Sequence, residues 1–183
     1  MDRAVDCAIL RRLEALLFTQ ADPVSDEQLA LWLKTDVANI FGFVQALTQK
    51  LHDQNSGLRV ERVAEGYLLA TAHDLGEFLD GCLEMEAPES LSQAAWEVLS
   101  VVAYRQPITR LEIEMFRQTN SERALETLIN RELIEQVGRK DAPGRPILYG
   151  TTRQFLREFG LDNLDHLPPL SVSDEKSFQE NSP

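Results

Sequence analysis

Apolar positions follow two rhythms along the chain, one of about 3.6 residues and one of two, and the pair of rhythms occurs twice. Ile9, Leu13, Leu16 and Leu17 fall at i, i+4, i+7 and i+8, which predicts a first helix, and Ala8, Leu10 and Phe18 widen its apolar stripe beyond one face. Pro23 and Ser25 open a second helix through Leu29, Leu31 and Leu33. Thr35 or Asp36 caps a third, in which Val37, Ile40, Phe41, Val44, Leu47 and Leu51 form an apolar seam before Asn55, Ser56 and Gly57 stop it. Residues 58–64 and 67–71 are rich in strand formers, and Glu65-Gly66 between them predicts a two-residue hairpin turn. A short helix with Leu75, Phe78, Leu79 and Leu83 leads to an acidic link, residues 84–89, broken by Pro88.

The same order then repeats. Ser90 and Gln93 stand in capping-box spacing before a helix with Leu91, Ala95, Val98, Leu99 and Val102 on one face. Gln106-Pro107 ends it, because proline disfavours a helical residue before it. Thr109 and Glu112 form a second capping box, with Ile108 and Ile113 placed to close a hydrophobic staple. A third helix starts near residues 119–121 and buries Ala124, Leu125, Leu128 and Ile129. Residues 133–137 and 147–151 read as strands around a tip rich in glycine, proline and charge.

Three helices followed by a hairpin is the order of a winged helix. The expected fold is therefore mainly α with small β-hairpins, an α+β class built of two tandem winged-helix domains. The boundaries fall at 1–86 for an N-terminal dimerisation domain and 87–168 for a C-terminal domain, with 169–183 a disordered tail because it is polar and lacks periodicity.

The 183 residues include 18 Lys and Arg against 30 Asp and Glu, a net charge of -12 that disfavours a stand-alone binder of phosphate backbones or anionic lipid. Residues 1–88 hold 7 basic and 15 acidic side chains, so the first half is the acidic half. Cys7 and Cys82 have no partner at zinc-ligand spacing, and no apolar run is long enough for a membrane span, which leaves a soluble cytoplasmic protein. His52, His73 and His166 lie far apart and no serine sits in a nucleophile elbow, so no catalytic residue, metal site or cofactor is expected. The carboxylate pairs Glu112/Glu114 and Glu84/Glu86 point to different helix faces and read as solvated.

The run Ala103-Tyr104-Arg105-Gln106-Pro107-Ile108-Thr109-Arg110, continued at Glu112, is followed by Val137-Gly138-Arg139-Lys140-Asp141-Ala142-Pro143-Gly144-Arg145-Pro146-Ile147-Leu148-Tyr149-Gly150-Thr151-Thr152. With Leu13-Glu14-Ala15-Leu16-Leu17-Phe18, Val63-Ala64-Glu65-Gly66-Tyr67 and Leu167-Pro168-Pro169-Leu170, these runs resemble the segregation and condensation protein B family over residues 9–170. Gln118-Thr119 stands where the family pattern leads one to expect a glycine and an apolar residue, and Glu65 where it has a glycine. The resemblance implies a non-enzymatic protein that forms a homodimer and docks on the central segment of a kleisin subunit, which bridges the heads of an SMC ATPase. Its motif offers Tyr104, Gln106, Pro107, Thr109, Arg110, Glu112, Arg139, Lys140, Gly144, Arg145, Pro146 and Tyr149 as partner-surface candidates in the C-terminal domain.

A winged-helix transcription regulator is the competing function. Its third helix would need basic or amide side chains facing base edges. Residues 36–53 set Lys50 against Asp36 and Asp53, and residues 120–132 set Arg123 and Arg131 against Glu122, Glu126 and Glu132, so both helices are net negative. Only residues 138–157 read as basic, through Arg139, Lys140, Arg145, Arg153 and Arg157, and DNA contact is expected to be weak or indirect. Gly138, Gly144 and Gly150 read as hairpin geometry. The first helix carries more apolar surface than one side of a small domain needs. Core packing and a partner surface compete as explanations, and a homodimer would use Ile9, Leu10, Leu13, Leu17 and Phe18.

Overall fold

The computed structural model describes residues 3–83 and 90–169. The chain divides into two compact units, Met1–Glu86 and Ala87–Pro183. The acidic link expected at 84–89, its Glu84/Glu86 pair and most of the expected tail lie outside the described residues.

Unit 1 runs α1 (Arg3–Thr19), α2 (Asp26–Leu33), a 3-10 turn (Val37–Asn39), α3 (Ile40–Asp53), β1 (Leu58–Val63), β2 (Gly66–Thr71), a second 3-10 turn (His73–Leu75) and α4 (Gly76–Cys82). Leu13 and Leu17, one turn apart on α1, are fully buried against Leu29, Leu33, Ile40, Leu47 and Leu51. Burying each leucine contributes roughly 1.5–3 kcal/mol, so this seam is the main force holding the helices together. Lys50 Nζ lies 2.8 Å from Glu14 Oε2 and ties α3 to α1 on the half-exposed side of the seam. Of the two cap candidates it is Asp36 that acts, accepting from Ala38 N, and it starts a 3-10 turn rather than the α-helix itself.

The first hairpin differs by one residue from its expected form. Val63 pairs with Gly66, so the turn residues are Ala64 and Glu65, both at positive φ (50° and 60°), as a type I′ turn demands. Gly66 belongs to β2, and its reason for being glycine is proximity. A Cβ there would sit 3.0 Å from the backbone of Pro23 and Val24, because Val24 exchanges two backbone hydrogen bonds of 2.9 Å with Tyr67.

Unit 2 runs α5 (Gln93–Arg105), β3 (Ile108–Thr109), α6 (Arg110–Arg117), α7 (Glu122–Asn130), β4 (Ile134–Arg139), β5 (Ile147–Thr151), α8 (Arg153–Glu158) and a 3-10 turn (Leu164–His166). The strands form an antiparallel sheet in the order β3-β5-β4. Val98, Val102, Ile113, Leu128, Leu133 and Ile134 are buried between this sheet and the helices. The cap of α5 is Ser92, whose hydroxyl accepts from Ala95 N at 3.2 Å, not Ser90. The capping box of α6 forms as its spacing indicates, with Ile108 and Ile113 both buried beneath it. Each unit is therefore a set of helices closed by a small antiparallel sheet, the mainly α, α+β class.

Candidate partner-binding surfaces

The motif residues of unit 2 meet in space, and most of them bind one another. Gln106, at the end of α5, donates from Nε2 to Ala103 O (3.3 Å) and Thr151 Oγ1 (2.9 Å), and its Oε1 accepts from Thr151 N at 2.7 Å. Only glycine fits beside this clasp, since a Cβ on Gly150 would stand 2.9 Å from Gln106 Oε1 and from Val137 Cγ1. Of the three glycines expected to supply turn geometry, Gly144 alone has positive φ (82°). Gly138 follows a bulge at Val137 in the β4–β5 pairing, and Gly150 is required by close approach.

Thr109 and Glu112 form a second knot. Glu112 Oε2 accepts from Thr109 N (2.9 Å) and Oγ1 (2.7 Å), while Oε1 lies 2.5 Å from Lys140 Nζ on the hairpin tip. Desolvation pushes the Glu112 carboxyl up. The hydrogen bonds from Lys140 and Thr109 outweigh it and hold the pKa at about 2. Glu114 is not idle either: its Oε1 accepts from Ser121 N (3.0 Å) and from Arg110 Nε (2.8 Å), which lower its pKa in that order. Arg110 also reaches Glu122 Oε1 at 3.0 Å, joining α6 to α7. The expectation that Glu112 and Glu114 are merely solvated is thus corrected, because both carry hydrogen bonds between elements.

The remaining motif side chains divide between interior and surface. Tyr149 and Thr109 are buried, and Tyr104 is half-buried with its hydroxyl donating to Pro168 O at 2.6 Å. Pro107, Arg139, Gly144 and Arg145 are exposed; Arg139 Nη1 donates to Arg145 O, and Pro146 O accepts from Lys140 N. The basic stretch 138–157 does not form one patch. The tip and the start of α8 lie at opposite ends of β5, whose four residue steps span roughly 13 Å.

In unit 1 the dimerisation candidates separate by burial. Leu13 and Leu17 sit in the unit's own core, which corrects the expectation that they face a partner, since the 3.6-residue stripe turns them inward. Phe18 is 74% exposed, and Ile9 and Leu10 are half-buried. Leu31, Trp32 and Phe41 add further exposed apolar side chains.

The outward faces of the two third helices carry few cations. The outward positions of α7 hold Glu122, Arg123, Glu126 and Thr127, and those of α3 hold Phe41, Gln45, Ala46 and Gln49. Among the described residues no His, Cys, Asp and Glu side chains are grouped to hold a metal, and no helix is long and apolar enough to cross a membrane.

Two surfaces escaped the sequence reading. An open groove of about 550 Å³ lies between α5 and α8, where Leu91, Trp96 and Phe159 meet Arg131 and Glu158. Trp96 packs edge-on against Phe159, with ring centroids 5.9 Å apart. On α6, Leu111 (66%) and Met115 (42%) stand exposed one turn apart. Their signal was present, because both lie two positions from buried Ile113, where an amphipathic helix should turn polar.

Comparison with known proteins adds an independent line. A family model described as the segregation and condensation complex subunit ScpB matches residues 11–170. A segregation and condensation protein B of Bacillus mycoides is 41% identical over 177 residues, covering 96% of this chain and 92% of that protein. The protein of that name from Moorella thermoacetica is 44% identical over 170 residues, covering 93% and 86%. Among solved structures, ScpB from Mycobacterium tuberculosis is 32% identical with a TM-score of 0.42, over 88% of this chain and 98% of that one. A structure described as a dimer of an ScpB N-terminal domain complexed with an ScpA peptide is 25% identical with a TM-score of 0.41, over 44% of this chain and 99% of that one.

Proposed function

The chain belongs to the family of the segregation and condensation complex subunit ScpB, and on that premise we propose that it is a non-enzymatic subunit of a bacterial chromosome condensation and segregation complex. In this reading it acts in the cytoplasm at the nucleoid as a homodimer. It binds the kleisin subunit, segregation and condensation protein A, which bridges the heads of the SMC ATPase, and it meets DNA only through that assembly. Unit 1 supplies the dimer contact through Phe18 with Ile9 and Leu10, and the two units fold as separate domains joined across residues 84–90.

The observation that supports this reading is where large apolar side chains meet solvent. Phe18, Leu31 and Phe41 in unit 1, and Leu111, Met115 and Trp96 in unit 2, are exposed on a chain of net charge -12. Such surfaces suit protein partners, whereas the carboxylates on the outward face of α7 oppose a phosphate backbone. Affinity chromatography of the full chain with recombinant ScpA tests the reading. A stable complex, with no sequence-specific DNA binding by the chain alone, is expected. Failure to bind ScpA together with tight sequence-specific DNA binding would replace it with a transcription regulator.

A further inference from the structure

The groove between α5 and α8 is walled by aromatic rings that unit 2 holds in place but leaves open to solvent. Phe159 packs on buried Phe155, with ring centroids 4.6 Å apart, and Trp96 stands edge-on to Phe159. Leu133, fully buried, lines the same space. Trp96 nevertheless keeps 44% of its surface exposed and Phe159 38%. The open volume beside them, about 550 Å³, falls in the range of about 300–1,000 Å³ usual for binding pockets.

The chain carries a segment suited to that space. The described residues stop at Pro169, one position after the Pro168 carbonyl that accepts from the Tyr104 hydroxyl. Tyr104 and Trp96 share α5 and stand roughly 12 Å apart along its axis. Residues 170–183, expected from their polarity to be disordered, include one aromatic side chain, Phe178. The stretch from Pro168 to Phe178 can extend over roughly 33 Å, more than enough to return to Trp96. Asp174, Glu175 and Glu180 flank Phe178 with a single base, Lys176, and the groove is lined by Arg131 and Glu158 to receive both signs.

We propose that the C-terminal segment folds back on unit 2 and seats Phe178 in this groove against Leu91, Trp96 and Phe159, with Asp174 and Glu175 toward Arg131. A tether of this length holds Phe178 at about millimolar effective concentration, so a contact too weak to retain a free peptide is still occupied. Polar flanks need no burial, and one aromatic anchor in a preformed pocket suits a segment that cannot build a core of its own. Seated there, it covers an apolar surface that would otherwise stay open to other proteins.

Trp96 reports the contact directly. With Trp32, the other tryptophan, replaced by Phe, emission from the full chain comes from Trp96 alone. Phe178→Ser in that background is expected to shift the emission to longer wavelength and to raise its quenching by acrylamide. The circular dichroism melt should stay nearly unchanged, since no described core residue is altered. Asp174→Lys with Glu175→Lys should move both readings the same way by less. Identical emission and quenching with and without Phe178 overturn the proposal. A mixing experiment identifies the source of the occupant: Phe178→Ser chains are combined with chains that keep Phe178 but have Phe at positions 32 and 96. Recovery of protection at about micromolar concentration, far below the effective concentration of the tether, overturns the proposal as well, because a second copy then fills the groove. No recovery supports the contact within one chain.

Discussion

Lys140 Nζ and Glu112 Oε1 stand 2.5 Å apart across 28 residues of sequence, joining the tip of the second hairpin to the first turn of α6. The same carboxylate completes the capping box with Thr109, so one side chain starts a helix and holds a hairpin beside it.

That double duty makes stability depend on acid. The folded pKa of Glu112, about 2, lies below its ordinary 4.5, so its contribution is complete above pH 4.5 and is lost as pH falls toward 2. Glu112→Gln should lower stability at neutral pH by about 1–2 kcal/mol. Thermal unfolding followed by circular dichroism should show the gap between variant and wild type closing between pH 4.5 and 2. A gap independent of pH would mean that the Lys140 link contributes nothing.

Gln106 and Gly150 should behave as a coupled pair. Gln106→Ala removes the hydrogen bonds to Thr151 and should cost about 2–3 kcal/mol. Gly150→Ala forces a methyl to within 2.9 Å of Gln106 Oε1 and should cost about 1–3 kcal/mol. With Gln106 truncated, part of the second cost disappears, so urea denaturation of the double variant should show less than the summed loss. Strict additivity would contradict the packed clasp.

Gln118 and Glu65 are two of seven non-glycine residues at positive φ among the described residues. Gln118 ends α6 at φ 53°, and Glu65 sits in the first turn at φ 60°. Gln118→Gly and Glu65→Gly should each stabilise by about 0.5–1 kcal/mol, the relief of left-handed strain exceeding the entropy of a more flexible unfolded chain. The effects should add, because the two sites lie in different compact units. Chemical denaturation measures both, and a destabilised Gln118→Gly would show that the glutamine side chain contributes more than its backbone costs.

In the proposed homodimer, Phe18 and Leu13 should separate dimerisation from folding. Phe18→Asp should convert the dimer to a monomer with little change in melting temperature, because the ring is already exposed. Leu13→Ala should destabilise unit 1 by about 2–5 kcal/mol through the cavity it leaves, without shifting the mass of the folded species. Light scattering and thermal unfolding read the two effects, and an unchanged dimer in Phe18→Asp would move the contact elsewhere.

The sequence was most legible where the code is local. Thr109 and Glu112 are three residues apart, and their reciprocal bonds need nothing else, so the capping box was readable. Ser92, not Ser90, is the cap because it stands directly before the first helical residue, where its hydroxyl reaches Ala95 N. Periodicity placed an apolar stripe on α1, yet it could not say that Leu13 and Leu17 turn inward while Phe18 faces out. Strand β3 has only two residues and exists because Ile108 and Thr109 pair with Tyr149 and Leu148, far along the chain. The links from Lys140 to Glu112 and from Gln106 to Thr151 are equally long-range, and so the motif signalled importance without revealing that much of it is internal fastening.

The hydrogen bond from the Tyr104 hydroxyl to Pro168 O spans 64 residues and ties the last described residues of unit 2 to α5. Among the described residues the last α-helix, α8, stops at Glu158, yet Leu161 and Leu167 still pack on the core and the phenol holds the chain beyond them. A truncation just after α8 would strip those leucines away and leave Tyr104 without its acceptor. A cleavage site or fusion junction placed before residue 168 would therefore cut the chain away from a tyrosine on α5, far from it in sequence.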